Sequence, residues 1–253
     1  MLIAACGGDA GAPTTAVADS TTTTAIAGST TTTTVADTTT TTAVADTTTT
    51  TARSTTTTAP ARSTTLAGDP IDFGPADGDV LMVVGVRHDD VLNLRAAPGA
   101  SQPIADEIPP TYANLVAQGN TRDLSPGLWI EVDYAGTPGW VNMRYTAFGG
   151  NVTDETSTVI DELGERPTES TMADLGELVA DVFDSRQSNT VQVTKVVKGD
   201  LSEITYDVVG LGGDSVLGFR LHVFAEDSGG GFTLRSVEAT LLCARSVSDG
   251  LCV

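Results

Sequence analysis

Leu92-Asn93-Leu94-Arg95-Ala96-Ala97-Pro98-Gly99 is the stretch from which the fold is read. Apolar Val91, Leu92 and Leu94 alternate with Asn93 and Arg95, the pattern of a half-buried strand, and Ala-Ala-Pro-Gly then turns the chain. Further on, Leu128-Trp129-Ile130-Glu131-Val132-Asp133-Tyr134 alternates in the same way. Ala135-Gly136-Thr137-Pro138-Gly139 reverses it into Trp140-Val141-Asn142, which makes a hairpin. Strands are predicted over 81–86, 91–95, 113–118, 128–133 and 139–141, with a short helical turn at 144–146.

This order (Leu-Asn-Leu-Arg-x-x-Pro-Gly, a hydrophobic strand, Gly-Trp-Val, then Tyr145) resembles the bacterial SH3-type (SH3b) domain over residues 76–150. The resemblance implies a small closed β-barrel that acts as a targeting module for peptidoglycan cross-bridges or stem peptides. The aromatic side chains Trp129, Tyr134, Trp140 and Tyr145 are the candidate ligand contacts, because flat apolar faces with polar edges suit a peptide or glycan. Trp140, between Gly139 and Val141, reads more readily as core. His88, beside Asp89 and Asp90, reads as a solvated turn in preference to a corner of a metal site.

The first third of the chain is of another kind. Residues 13–75 are dominated by runs of Thr separated by Ala-Val-Ala-Asp or Ala-Arg-Ser, and burial there cannot offset the entropy of ordering the chain. They are read as a disordered tether, spanning on the order of 45 Å if fully flexible, with a composition similar to that of O-glycosylated stalks. Before it, within residues 1–12, Ile3-Ala4-Ala5-Cys6-Gly7-Gly8 resembles the lipobox of bacterial lipoproteins. That resemblance makes Cys6 the lipidated residue and the protein a membrane-anchored, extracytoplasmic one. Only five residues precede Cys6, too few for the apolar region of a secretory signal, so the true translation start is expected upstream. No later stretch holds 18 consecutive apolar residues.

The net charge of −20 never changes sign along the chain: residues 1–75 hold 2 basic and 6 acidic side chains, 76–149 hold 4 and 9, and 150–253 hold 7 and 18. Without a basic run to neutralise phosphates, a nucleic-acid partner is disfavoured, as is attraction to an anionic lipid surface. With Cys6 given to lipid, Cys243 and Cys252 remain as an even pair, which fits a disulfide in an oxidising compartment. The alternatives are two free thiols or half of a metal site; no clustered His or second Cys pair supports zinc.

Residues 154–253 read as an α+β domain of unknown function. Thr171 and Asp174 form a capping-box pattern, and Met172, Leu175, Leu178, Val179, Val182 and Phe183 recur at helical spacing. Four strand-like runs follow, at 191–197, 202–209, 216–224 and 232–243, with a bulge expected near Arg235-Ser236. Gly-rich hairpin loops join them. One helix on a four-stranded antiparallel sheet resembles the cystatin-like layout, at the level of architecture alone. Arg220 and His222 fall on the face opposite Phe219, Leu221 and Val223; that face is assigned to solvent, a binding surface being the other reading.

No constellation for catalysis stands out. A Cys/His endopeptidase needs a reactive Cys with a His base, and the late, pairable cysteines and two separate histidines do not offer it. An amidase needs a zinc site. A glycosidase needs only two carboxylates, and no spacing singles out a pair. The chain is therefore read as mainly β, non-enzymatic, and free of cofactor or metal. Its expected role is to bind cell-wall peptide or an envelope protein; the alternatives are a structural interaction lipoprotein without a wall ligand, or a carboxylate-dependent wall hydrolase.

Overall fold

The computed structural model describes residues 65–253. The expected tether and the lipidation expected at Cys6 lie outside them, apart from the last residues of the 13–75 segment, which are not a free tether: Asp69 and Pro70 pair with Asp123 and Arg122, and Ile71 N donates to Thr121 O at 3.2 Å. The main strands are β1 (Val80–Val83), β2 (Leu92–Arg95), β3 (Ile104–Ile108), β4 (Leu115–Leu124), β5 (Gly127–Tyr134), β6 (Thr137–Asn142) and β7 (Thr146–Asp154). Then come α1 (Thr156–Leu163), α2 (Met172–Phe183), β8 (Asn189–Gln192), β9 (Ser202–Val209), β10 (Val216–Asp227) and β11 (Phe232–Cys243). A two-strand hairpin ends the chain, β12 (Val247–Ser248) with β13 (Leu251–Cys252).

The protein is mainly β, but the expected barrel is not closed. A single open 14-stranded sheet runs β8-β9-β10-β11-β7-β1-β4-β5-β6-β2-β3, with three two-residue strands paired off this path. The reason lies in β7. Its start pairs with β1 (Val83 opposite Thr146), and its remainder pairs with β11, from Phe148 opposite Cys243 to Asp154 opposite Glu238. The strand at the edge of the first set is thus also the edge of the second, and it carries the hydrogen bonding onward. The expected boundary between residues 150 and 154 falls inside this strand.

Gly149 and Gly150 both lie within β7. A Cβ on Gly150 would stand 2.7 Å from the carbonyl oxygen of Gly250, and Asn151 N donates to that same oxygen at 2.7 Å. Glycine is required there because the C-terminal hairpin crosses against the strand backbone. The Cys243–Cys252 disulfide, with its Cα atoms 5.1 Å apart, holds that hairpin. Fully buried Cys243 packs into the same core as Leu81, Val83, Leu94, Ile130 and Phe148.

The second half differs from the expected layout in two ways: a second helix, α1, precedes α2, and the strand expected over 191–197 ends at Gln192, with Val197–Lys198 forming a separate two-residue strand. Thr171 caps α2, its Oγ1 accepting from Asp174 N (3.1 Å) and donating to Asp174 Oδ2 (2.7 Å). Met172, Leu175, Val179 and Ala180 are buried against Ile204, Tyr206, Val208, Leu221 and Val223. Gly176 lets the helix lie close, since a Cβ there would stand 2.9 Å from Ile204 Cγ2. Tyr206 OH donates to Ala173 O at 3.1 Å. Burial, with Glu177 and Asp174 nearby, raises its pKa to about 12, so it remains a donor. The expected bulge is present: Phe224 faces Ser236 and Ala225 faces Leu234, leaving Arg235 as the extra residue.

The opposite face of this sheet is not solvated at its centre. Successive residues of β1 point to two cores. Leu81 and Val83 face the first, whereas Met82, with Val84 just beyond the strand, packs on Ala147 and Leu242, with Val209 and Leu217 alongside. Arg220, assigned to solvent from sequence, is 4% exposed, and its partner Asp207 is fully buried. Arg220 Nε donates to Asp207 Oδ1 (2.7 Å) and Nη2 to Oδ2 (2.9 Å). Nη2 also donates to the carbonyls of Val83 (2.6 Å) and Pro110 (3.3 Å), and Asp207 Oδ2 accepts from Gly85 N (2.9 Å). The pair therefore joins β9 and β10 to β1 and the loops around it. A buried pair of this kind is tolerable only when it is well hydrogen-bonded, and here both Asp207 carboxylate oxygens and Arg220 Nε and Nη2 have partners.

Candidate functional site

The β5–β6 hairpin and the turn that follows it build a concave surface. Trp129 of β5 lies opposite Asn142 of β6, and Asn142 then caps a 3-10 turn over Met143–Tyr145 by accepting from Arg144 N at 3.1 Å. Thr146 Oγ1 closes the turn by donating to Met143 O at 2.9 Å. This short turn sets Arg144 and Tyr145 side by side, with the guanidinium carbon 4.9 Å from the tyrosine ring centroid, a cation–π contact.

Two clefts adjoin here, sharing Ala100, Trp129, Asn142 and Arg144. One, of about 860 Å³, is walled by apolar Phe73, Leu124, Leu128 and Met143, and reaches Leu217 of β10. The other, of about 450 Å³, brings together Arg87, Arg95, Arg144, Asn93, Asp90 and Tyr145. Arg87 holds Asp89 in a two-pronged contact, both bonds 3.0 Å, and this hydrogen bonding draws the Asp89 carboxyl below its ordinary pKa. Arg95 Nη1 donates to Gln102 O at 2.7 Å. Among the described residues, neither Arg95 nor Arg144 has a carboxylate in salt-bridge range.

Of the four aromatic candidates, the fold brings Trp129 and Tyr145 to this groove. Trp129 is 7% exposed, so little of its ring is open to a ligand. Trp140 is buried in β6, and Tyr134 packs edge-on against Tyr112 with ring centroids 4.7 Å apart, away from the clefts. Sequence reasoning passed over Arg87, Arg95, Arg144 and Asn142. A signal for the cations was present: residues 76–149 hold only 4 basic side chains, and three of them meet in one cleft.

A further cleft, of about 610 Å³, lies between β1 and the sheet of the second half. His222, also assigned to solvent, is half-buried there, its Nδ1 3.1 Å from Glu203 Oε1 and with Thr194, Thr205 and Thr240 around it. His88 serves the fold, its backbone N–H donating to Gln192 O at 3.0 Å and tying its loop to β8. No group of three or more His, Cys, Asp or Glu side chains among the described residues is placed to hold a metal ion. No protein-family model matches the chain, and no match was found among curated proteins or solved structures.

Proposed function

We propose that this chain is a membrane-anchored, extracytoplasmic binding protein that recognises peptide of the cell wall through the Trp129–Arg144–Tyr145 groove. Residues 76–150 are read as an SH3-like module and 154–253 as a cystatin-like α+β layout that braces it. The carrying observation is the groove itself. An apolar cleft adjoins one lined by guanidinium and amide groups, the combination that orients an extended polar ligand while burying its side chains. The Cys243–Cys252 disulfide is compatible with an extracytoplasmic setting.

The test is co-sedimentation of the purified full-length chain with isolated cell walls. Retention in the wall pellet is expected, with competition by soluble wall peptides. A chain that stays in the supernatant at every wall concentration overturns the reading.

A further inference from the structure

We infer that the smaller cleft is a carboxylate site that takes the free C-terminus of a peptide, with Arg95 and Arg144 as its charged contacts and Asn142 and Tyr145 as its polar and aromatic margins. The inference rests on the groove being the ligand site and adds the chemistry that would be recognised there.

Cation placement carries the argument. In a chain of net charge −20, three guanidiniums gather in one cleft of about 450 Å³. Two of them, Arg95 and Arg144, have no carboxylate partner among the described residues; Arg144 keeps its planar fork for a two-pronged contact, and Arg95, with Nη1 on Gln102 O, keeps its Nε–Nη2 edge. Arg95 is half-buried and fixed by its bond to Gln102 O, so little side-chain freedom remains to be lost on binding. Arg144 is exposed but is held over the Tyr145 ring by the Asn142-capped turn. Asp89 and Asp90 oppose the three cations, so a single positive charge is left over. That balance suits a monoanion such as a peptide carboxylate, whereas a phosphate dianion would meet the two aspartates with a charge in excess. Asn93 and Asn142 add amide donors and acceptors for the peptide backbone, and Val86, Val91 and Leu92 give the cleft an apolar wall.

The experiment uses the full-length chain in calorimetric titrations at neutral pH with three probes: N-acetyl-alanyl-alanine, its C-terminal amide, and inorganic phosphate. The free acid is expected to bind at least tenfold more tightly than the amide and more tightly than phosphate. Arg144→Gln and Arg95→Gln are each expected to weaken it at least tenfold, while Lys198→Gln, on an exposed strand far along the chain, leaves it unchanged. Arg144 is exposed, so an unaltered thermal midpoint of Arg144→Gln shows that a loss of binding is not a loss of folding.

Equal binding of acid and amide, no binding of either, tighter binding of phosphate, or full affinity in Arg144→Gln each overturns the inference. Wall sedimentation separates this from the broader reading. Walls retained by a chain that ignores the dipeptide leave the wall reading standing and remove the carboxylate site. Arginine-dependent dipeptide binding without wall retention does the reverse.

Discussion

Arg220 is the residue whose environment departs furthest from its sequence pattern. Alternation along β10 places it opposite Phe219 and Leu221, on a side that a charged residue would ordinarily share with water. Instead it is buried with Asp207, and its Nη2 also donates to the carbonyls of Val83 and Pro110. Truncating it leaves the Asp207 carboxylate buried with only Gly85 N as partner, so Arg220→Ala is expected to lower stability by about 3–5 kcal/mol. Urea denaturation measures this. The double variant Arg220→Met, Asp207→Leu is expected to regain most of the loss, because it removes both charges and fills the space. A single-variant loss below about 1 kcal/mol would mean that the pair contributes little.

Among the elements, β7 decides the architecture. Its Gly149-Gly150 pair has the composition of a linker, yet the strand continues through it with a bulge, Gly150 and Asn151 together facing Leu241, and bonds to β1 at its start and to β11 along the rest. Gly150 is needed because the C-terminal hairpin, held by the Cys243–Cys252 bond, lies against it. Gly150→Val places a branched side chain where the Gly250 carbonyl sits. It is expected to destabilise the fold by about 1–3 kcal/mol through overpacking, read as a lower urea midpoint. An unchanged midpoint would mean that the hairpin can move aside at no cost. The helix α2 was the most legible element, since Thr171, Asp174 and the apolar spacing all lie within four turns of one another. The edge strand β3 was the least legible: in Ile104-Ala105-Asp106-Glu107-Ile108 only Ile108 is buried, so no alternation marks it.

For the whole molecule, the described residues fall in one compact unit, and the sheet is continuous across both halves. Strands that share hydrogen bonds, a buried ion pair and the Met82–Leu242 contact should lose their structure together. Both tryptophans, Trp129 and Trp140, lie in the first half, so their fluorescence reports that half alone, whereas hydrogen exchange of the β10 amides reports the second. The two probes are expected to give one coincident urea transition. Midpoints that separate would show two independently folding domains joined by a passive strand.

The sequence by itself determined the local pieces. Alternation marked the strands around Leu92–Arg95 and Gly127–Tyr134; the Thr171 cap, the bulge at Arg235 and the pairing of Cys243 with Cys252 were equally readable. Each of these depends on neighbours a few positions away, or on the parity of a residue count. Tertiary structure alone decided that the sheet stays open, that β1 covers the Arg220 face, and that Arg87, Arg95 and Arg144 meet beside Trp129 and Tyr145. Periodicity states which residues share a face; it carries no information about what covers that face, because the covering atoms come from segments more than a hundred residues away, as Val83 does for Arg220.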